Sequence, residues 1–399
     1  MGAIGGIVDF KNGNIDFSSI DALRRAQALR GRCSSTAYVD HSIAMFYNYD
    51  GFFGKGEPTA SERGGYNVVI SMDSRFEDAK YLLEAYRAYG VEFLGMLEAP
   101  FAIALYDSER RMLLLARDKR GRKPLFYQAF GGRVIFASEA KGLFALKGSL
   151  RVNAQSLSQH LTSPIGIYSV SDICPDISEL CAGECVLFTE VGVSRFFYRE
   201  SQSKKISGKA FSKRSISAEI ALELNRDDVI SALGDALVAF DIPQFDAYMP
   251  SLCRLFLKNR ENKNSEIYFR DPLWRKSIGY SCEREDRLSS FYGIMGRAVP
   301  QRNTDIDFQR LEEEQKNILE ALREYFYSFD NSQKSILRKI FGEKKLSFLS
   351  RYFESESVKK EDTEQKIRIL GMTCQTIEWE KMRNISLIVP ELKIYSYAD

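Results

Sequence analysis

The stretch RDKRGRKPLFYQAFGGRVIFASEAKGLF, residues 117–144, decides the fold of this chain. Its apolar runs are short and are separated by turn signals, which is typical of buried strands. Pro124 fixes φ at the start of one run, and Gly131-Gly132 provides the positive φ values that a tight hairpin turn needs. The pattern predicts an antiparallel meander that is covered on both faces and is followed by a short helix over 139–146.

The same stretch contains two ordered motifs, RDKRGRKPLFY and FASEAKGL. Together they resemble the N-terminal domain of class II glutamine amidotransferases, in the version found in asparagine synthetase B and the related β-lactam synthetases. The resemblance extends through residue 199 and implies the four-layer αββα sandwich of N-terminal-nucleophile hydrolases, so the expected fold class is α+β. The motif positions in this chain are Arg117, Asp118, Gly121, Lys123, Pro124, Leu125, Phe126, Tyr127, Phe136, Ala137, Ser138, Glu139, Lys141 and Leu143.

Composition sets broad limits on function. The chain has 399 residues, of which 44% are hydrophobic, and this length favours two domains with substantial cores. Its 56 basic and 54 acidic residues give a formal net charge of +2, which predicts neither a nucleic-acid nor a membrane partner. No apolar run reaches the roughly 18 residues that cross a bilayer. Seven irregularly spaced cysteines favour reduced thiols in a cytoplasmic protein.

The residues before the meander change between strand and helix patterns. Small and apolar residues alternate over 1–10, which suits a strand packed closely against another backbone. Ile20, Leu23 and Ala26 recur at every third position, which predicts an amphipathic helix over 16–30. The other elements predicted in this part are strands at 36–40, 42–49, 66–73, 101–107, 111–118, 124–130 and 133–138, a surface loop at 50–65 and a helix at 76–89.

We expect three consecutive regions: an amidotransferase-like domain over 1–200, a basic linker over 201–217 and a mainly helical domain over 218–399. The linker is rich in serine and has five basic residues, which favours a solvated, mobile connector over a phosphate-binding patch. A faint similarity at 240–252 implies that the helical domain is a reduced asparagine synthetase domain. The elements predicted in it are a strand at 218–224 and helices at 228–240, 282–297, 308–329, 331–341, 344–353 and 363–383.

The resemblance places the nucleophile position of active relatives at Gly2. In that family a cysteine attacks the glutamine amide, and its own α-amine serves as the general base. Glycine has no nucleophilic side chain, so we expect no glutaminase activity. The arginine motif of the family survives here only as Arg30-Gly31, and the oxyanion-hole motif aligns with 72–77 without matching it. Loss of a single oxyanion donor costs about 100- to 1000-fold in rate.

The cysteines raise two alternative sites. Cys33 could act as a displaced nucleophile, but the two histidines of the chain stand at no recognised spacing from it, so a structural role is favoured. Cys174, Cys181 and Cys185 follow a C-x6-C-x3-C spacing with no fourth ligand in reach, which suits zinc poorly. We therefore predict no metal site.

Amide synthesis would also require activation of a carboxylate by ATP. The family uses a Ser-Gly-Gly-x-Asp-Ser loop whose backbone N–H groups hold pyrophosphate, and no such string occurs in this chain. The stretch that aligns with the second acidic motif of the family, residues 270–275, keeps one acid and contains Pro272. We expect no cofactor, and ATP with Mg²⁺ only if the chain is an enzyme.

Three functional hypotheses are open at this point. The favoured one is an asparagine-synthetase-related protein with an inactive amidotransferase domain that serves as a binding, regulatory or partner subunit. Such a protein would form a homo-oligomer or pair with an active paralogue. The alternatives are an ATP-dependent amide-forming enzyme with altered active-site residues and an ordinary glutamine-hydrolysing asparagine synthetase.

Arg30, Ser74 and Arg75 are the candidate ligand-binding residues. The resemblance places them along the former glutamine cleft, where they could bind the carboxylate of a small acid or an amino acid. A surface or interdomain salt bridge is the alternative role for each of them, and the favoured one.

Overall fold

A computed structural model shows mixed helix and strand content, in agreement with the predicted α+β class. The N-terminal part is built on antiparallel sheets, and the C-terminal part is mainly helical. The structure describes residues 2–11, 13, 15–28, 30, 34–49, 59–63, 66–74, 79–162, 169–201, 205–206, 215–217, 224–247, 249–251, 253–254, 266–268, 308–355 and 360–388.

Helices and strands alternate in the N-terminal part, and long helices follow. The described strands are β1 (Ala3–Asp9), β2 (Ser34–Asp40), β3 (Ile43–Tyr49), β4 (Thr59–Arg63), β5 (Tyr66–Ser74), β6 (Phe101–Asp107), β7 (Met112–Arg117), β8 (Phe126–Phe130), β9 (Arg133–Ala137), β10 (Leu150–Asn153), β11 (Ser178–Glu179), β12 (Glu184–Thr189), β13 (Val193–Phe197), β14 (Ser215–Ser217), β15 (Glu266–Tyr268) and β16 (Ile385–Ile388). The described helices are α1 (Phe17–Ala26), α2 (Ala79–Tyr89), α3 (Ala140–Phe144), α4 (Ala154–Thr162), α5 (Val170–Ile173), α6 (Arg226–Phe240), α7 (Phe308–Ser328), α8 (Ser335–Glu354) and α9 (Lys360–Arg383), with a 3₁₀ helix at Gly90–Met96.

Two six-stranded antiparallel sheets stack on each other in the N-terminal part. Sheet A has the strand order β11-β8-β9-β1-β3-β2, and sheet B has the order β13-β12-β7-β6-β5-β4. Their inner faces meet in a buried apolar layer, to which Val8 and Phe136 contribute from sheet A and Leu113 and Val186 from sheet B. Burial of this layer holds the two sheets together.

Helices cover the outer face of each sheet. Leu82 and Phe93, from α2 and the 3₁₀ helix, belong to the apolar core on the outer face of sheet B. Leu23 of α1 and Leu143 of α3 belong to the core on the outer face of sheet A.

The hairpin that the Gly-Gly pair predicts is confirmed. β8 and β9 pair in register from Phe126↔Ala137 to Phe130↔Arg133. Gly131 and Gly132 join them with φ values of 62° and 89°, which side-chain-bearing residues adopt only with strain. The glycine-rich β1 is also packed closely, as predicted, because a Cβ added to Gly6 would stand 2.5 Å from the carbonyl oxygen of Ala44.

The C-terminal helices share a core with the helical layer over sheet A. Leu233, Leu322 and Leu370, from α6, α7 and α9, belong to the same buried cluster as Leu143. The rings of Phe144 and Trp379 lie 6.5 Å apart between centroids. β16 then pairs in parallel with β10, so the end of the described chain returns to the N-terminal part. The two predicted domains are therefore joined through one apolar core.

Several element boundaries differ from the predictions. β4 lies inside the predicted loop over 50–65, where pairing with β5 forms a strand that the polar sequence does not indicate. α1 ends at Ala26, before the predicted residue 30, and the side chain of the next residue, Gln27, accepts a hydrogen bond from the backbone N–H of Glu139. The break predicted between helices 331–341 and 344–353 is confirmed as a kink at Gly342, with φ 73° inside α8.

Two predicted elements lie mostly or wholly outside the described residues. The helix at 282–297 and, apart from its last residue, the strand at 218–224 fall outside the described residues. One point of the predicted linker is fixed: the Ile206 N–H donates to the Met96 carbonyl at 2.7 Å, and its own carbonyl accepts from Glu98 N–H at 3.0 Å. The linker's overall behaviour stays a prediction.

Replacing Gly371 with alanine should destabilise the helical part. Gly371 lies in α9, where an added Cβ would stand 2.7 Å from Cγ of the buried Phe245. Overpacking of this kind costs about 1–3 kcal/mol, so the midpoint of urea unfolding should fall. Gly234→Ala in α6 is the matched control. Nothing lies within 4 Å of its added Cβ, and helix propensity should raise stability by up to about 1 kcal/mol. Equal effects of the two substitutions would contradict this packing.

Candidate functional site

The position that the resemblance assigns to the nucleophile lies directly before β1. Gly2 is buried there, at one end of a central strand of sheet A. A Cβ added to Gly2 would stand 2.5 Å from the hydroxyl oxygen and 2.6 Å from Cζ of Tyr47, on the neighbouring strand β3. Tyr47 is 2% exposed and belongs to the apolar layer between the two sheets. Its ring therefore occupies the space that a side chain at position 2 would need.

Arg30 is held beneath the same point. It is 1% exposed, and its Nε donates a hydrogen bond to the Gly2 carbonyl oxygen at 2.9 Å. Ser74 is the last residue of β5, in sheet B, where its backbone pairs with Phe101. Arg75 lies outside the described residues. Because the structure describes only one of the three candidate side chains, the ligand-binding cleft stays a prediction.

The FASE motif joins β1 to the helical layer. The Ser138 hydroxyl accepts from the Ile4 N–H at 2.9 Å, and the Ser138 N–H donates to the Ile4 carbonyl at 2.9 Å. The next residue, Glu139, donates its backbone N–H to Gln27 Oε1 at 2.9 Å. Ser138 thus extends the pairing of β1 with β9, and Glu139 connects the motif to the end of α1.

A buried set of charged groups continues from this motif into the C-terminal helices, and we call Glu139, Lys141 and Asp241 the interface cluster. Lys141 Nζ lies 2.9 Å from Glu139 Oε1 and 3.6 Å from Asp241 Oδ1. It also donates to the Val238 carbonyl of α6 at 2.7 Å. Asp241 Oδ2 accepts from the Ala140 N–H at 2.8 Å. All three side chains of the cluster are less than a tenth exposed, so these bonds join the sandwich to α6 out of contact with water.

The protonation of this cluster is set by burial. Burial raises the pKa of Glu139, and the nearby Asp241 raises it further. Lys141 and Arg30 act in the opposite direction, because each favours the charged carboxylate. Glu139 Oε2 and Asp241 Oδ1 have no hydrogen-bond partner among the described residues. Two buried carboxylate oxygens of the interface cluster therefore lack a hydrogen-bond donor among the described residues.

The RDKRG motif holds its own turn and the strands beside it. Arg117 is buried and donates from Nη1 to the Leu180 carbonyl at 2.7 Å and from Nη2 to the Gly121 carbonyl at 2.6 Å. Nη1 also lies 3.2 Å from Glu179 Oε1 in β11. The Tyr198 hydroxyl donates to the Arg117 carbonyl at 2.9 Å. These contacts connect the end of β7 to the edge strand β11 of sheet A and to the residue after the edge strand β13 of sheet B.

Asp118 organises the turn that follows. Its carboxylate accepts from the backbone N–H groups of Arg120, Arg122 and Lys123 at 3.1, 2.9 and 3.3 Å. Gly121 has φ 61° within this turn, which explains the glycine of the motif. The polar residues of the family signature thus make internal contacts that shape the fold.

The described cysteines include both buried and exposed thiols. Cys174 and Cys185 are buried, and burial raises the pKa of the Cys185 thiol to about 12, so it stays protonated and unreactive near neutral pH. Cys181 is exposed, and Cys33 lies outside the described residues. No cluster of three or more metal-ligating side chains occurs within the described ranges. Helices that are long and apolar enough to span a membrane are likewise missing from these ranges.

Sequence reasoning missed Tyr47, Gln27 and Asp241. The alternation of residues 42–49 indicates that Tyr47 shares a face with Met45, but only the β1–β3 register brings its ring over Gly2. The sequence predicts only that Gln27 belongs to the amphipathic helix over 16–30. Asp241 stands at the end of a predicted helix, and nothing in its spacing relates it to Glu139.

Residues 71–199 match the family model described as a glutamine amidotransferase domain. This part of the chain is a glutamine amidotransferase domain. The match includes both motifs, so the contacts of Arg117, Asp118, Ser138 and Glu139 belong to the amidotransferase domain itself.

Curated relatives agree with this assignment. Asparagine synthetase [glutamine-hydrolyzing] 1 of Bacillus subtilis is 33% identical over 85 residues, which are 21% of this chain and 13% of the relative. Asparagine synthetase [glutamine-hydrolyzing] 3 of the same organism is 29% identical over 132 residues, 33% of this chain and 22% of the relative. Amidase chyE of Penicillium rubens is 35% identical over 68 residues, 17% of this chain and 10% of the relative. The chain thus spans less than a quarter of the length of each.

Solved structures resemble the chain only weakly. The glutamine phosphoribosylpyrophosphate amidotransferase of Bacillus subtilis, complexed with ADP and GMP, aligns with a TM-score of 0.32 and 12% identity over 75% of this chain and 65% of that chain. A score this low does not assign a fold. The sequence matches alone establish that the chain carries an asparagine-synthetase-like glutamine amidotransferase domain.

Replacing Gly2 with alanine should destabilise the amidotransferase domain. The added methyl group would overlap the Tyr47 ring, and overpacking in a filled interior costs about 1–3 kcal/mol. In a Tyr47→Ala background the same substitution should cost much less, because the ring is gone. A urea-unfolding double-mutant cycle measures the coupling directly.

The matched control for this cycle is Gly148→Ala, since nothing lies within 4 Å of a Cβ added at Gly148. Its effect should be small in both backgrounds. A cost of Gly2→Ala that is the same with and without the Tyr47 ring would contradict the packing described here.

Proposed function

We propose that this chain is an asparagine-synthetase-related protein whose glutamine amidotransferase domain is catalytically inactive and that it acts as a binding, regulatory or partner subunit. The observation that carries the proposal is the pairing of Gly2 with Tyr47. Covalent attack on an amide needs a thiolate or alkoxide with room for the amide carbon beside it. Here the assigned position has no side chain, and an aromatic ring fills the space in front of it.

Three further observations support an inactive domain. The Nε of Arg30, the arginine of the family motif, is committed to a hydrogen bond with the carbonyl oxygen of Gly2, the position assigned to the nucleophile. The oxyanion-hole motif has no match at 72–77, and the phosphate-binding loop of the synthetase half has no match in the chain. The retained motif residues, Arg117 and Asp118, make contacts that hold the fold together. The chain thus keeps what shapes the domain and lacks what would perform its reaction.

Within this proposal the layered N-terminal part is an αββα sandwich of the N-terminal-nucleophile hydrolase type, followed by a helical remnant of a synthetase domain. No cofactor or metal is required. The partner is a second copy of the chain or an active paralogue in the cytoplasm. A small carboxylate or an amino acid, bound through Arg30, Ser74 and Arg75, is the proposed ligand.

The match to asparagine synthetases favours one alternative function, an ATP-dependent amide-forming enzyme with altered active-site residues. That enzyme would need ATP with Mg²⁺, whereas the inactive subunit would not. Isothermal titration of the purified chain with ATP–Mg²⁺, and separately with glutamine, distinguishes the two. Saturable ATP binding would favour the alternative.

The purified chain should release no ammonia from glutamine above the rate of a buffer blank. A glutamine-hydrolysing asparagine synthetase, assayed in parallel, is the positive control. Gly2→Cys should stay inactive as well, because the Tyr47 ring still fills the site. Ammonia release that persists through repeated purification and is lost on substitution of a described residue would contradict the proposal.

A partner role predicts a stable complex. Affinity capture of the tagged chain from its own cells, followed by mass spectrometry, should return either untagged copies of the chain or a full-length asparagine synthetase homologue. Light scattering of the purified chain separates the two cases, because only self-association would raise its mass above that of one chain. A chain that is monomeric and returns neither protein would contradict the partner role.

A further inference from the structure

The interface between the sandwich and the C-terminal helices is closed by polar contacts as well as by the shared apolar core. Lys141 Nζ and the Ala140 N–H, both from α3, donate to groups at the end of α6. Asp241 follows α6 with φ 67°, a backbone conformation that a residue other than glycine adopts at some cost. Asp241 is also the residue whose carboxylate accepts a hydrogen bond from the N–H of Ala140, the first residue of α3. The unfavourable backbone conformation thus occurs at a residue that contacts the sandwich.

The charges of the interface cluster do not satisfy one another fully. Two carboxylates flank one ammonium group, at 2.9 Å for Glu139 and 3.6 Å for Asp241. Each carboxylate retains one buried oxygen with no hydrogen-bond partner among the described residues, Glu139 Oε2 and Asp241 Oδ1. A buried acceptor without a donor costs about 1–3 kcal/mol, and more when it is charged. One added proton would neutralise one of the two carboxylates and leave one carboxylate for the one ammonium group.

We propose that the Glu139–Asp241 pair takes up one proton when the C-terminal helices dock on the sandwich, which makes this interface a proton-sensitive clasp. The proton resides on Glu139 Oε2, the carboxylate oxygen that Lys141 does not bind. Lys141 then keeps its hydrogen bond to the Val238 carbonyl and its ion pair with Asp241. The inference is independent of the proposed loss of glutaminase activity, because it concerns only the contacts between α3 and α6.

Other charged or titratable groups that face the pair come from three elements. Arg30, after α1, and Lys141, in α3, both favour a charged Glu139. Cys174, at the end of α5, faces Asp241 and has its pKa raised by burial, so it stays an uncharged thiol. Burial of Glu139 is the largest influence on its pKa and opposes the two cations. The cluster as a whole therefore favours the protonated acid relative to an exposed glutamate.

Because the pKa of Glu139 is raised in the folded chain, protonation of Glu139 stabilises the folded chain at low pH. The pKa of Glu139 is raised in the folded chain above its value of about 4.3 in an unfolded one. Between these two values the folded chain binds the proton and the unfolded chain does not. The contribution of Glu139 to stability is therefore fully present below about pH 4.3 and is lost as the pH rises through the folded pKa.

The test is urea unfolding of the full chain from about pH 5 to about pH 8, compared with Glu139→Gln. Over the interval that Glu139 titrates, the folding equilibrium constant of the wild type should fall by up to about tenfold per pH unit relative to that of Glu139→Gln. Glutamine carries a permanent donor and no charge, so the variant should match or exceed wild-type stability at the upper end of the range.

Glu184→Gln is the matched control. Glu184 is also a buried, ion-paired carboxylate, bonded to Arg195 at 2.7 Å, but it lies in β12, away from α6. This control should lose stability at every pH and keep the wild-type slope. If Glu139→Gln keeps the wild-type slope as well, the clasp is disproved.

Infrared spectroscopy tests the same proton without a substitution. The folded wild type should show the C=O stretching band of a protonated carboxylic acid at a pH above the ordinary glutamate pKa of about 4.3. Labelling glutamate with ¹³C should shift this band, which assigns it to a glutamate side chain. Its absence in the folded chain would overturn the proposal even if Glu139→Gln fails to fold.

Discussion

The contacts of one short segment, Ser138 to Lys141, hold the three parts of this structure together. The Ser138 hydroxyl and N–H bond to both backbone groups of Ile4 in β1. Glu139 and Lys141 then connect the end of α1 and the end of α6. Because these groups are buried, each is costly to leave unpaired, and the segment fixes the relative positions of sheet A, the helical layer and the C-terminal helices. The residues of this family motif thus make the contacts that hold the fold together.

The sequence predicts the elements better than it predicts their contacts. Apolar runs located the meander, and the Gly131-Gly132 pair located its hairpin. β4 was missed because its polar residues become a strand only through pairing with β5. The shared core was missed because a chain pattern shows which residues are apolar but not which distant helix they meet.

The candidate functional site also has one part that the sequence predicts and one part that it does not. The absence of a nucleophile at Gly2 is visible in the sequence once the family resemblance is noticed. The ring that fills the site is not, since the relation of Tyr47 to Gly2 depends on the register of β3 against β1. Arg30 was predicted either to line a ligand cleft or, as the favoured role, to form a salt bridge, and the structure shows that its Nε donates a hydrogen bond to the Gly2 carbonyl oxygen.

The central claim is that no residue of the amidotransferase domain can attack a glutamine amide. The most direct measurement treats the purified chain with a glutamine analogue that carries an electrophilic diazoketone and determines the intact mass. Our account predicts no adduct under conditions that fully label a glutamine-hydrolysing asparagine synthetase. A single stoichiometric adduct, prevented by excess glutamine and mapped to one residue of the domain, would contradict it.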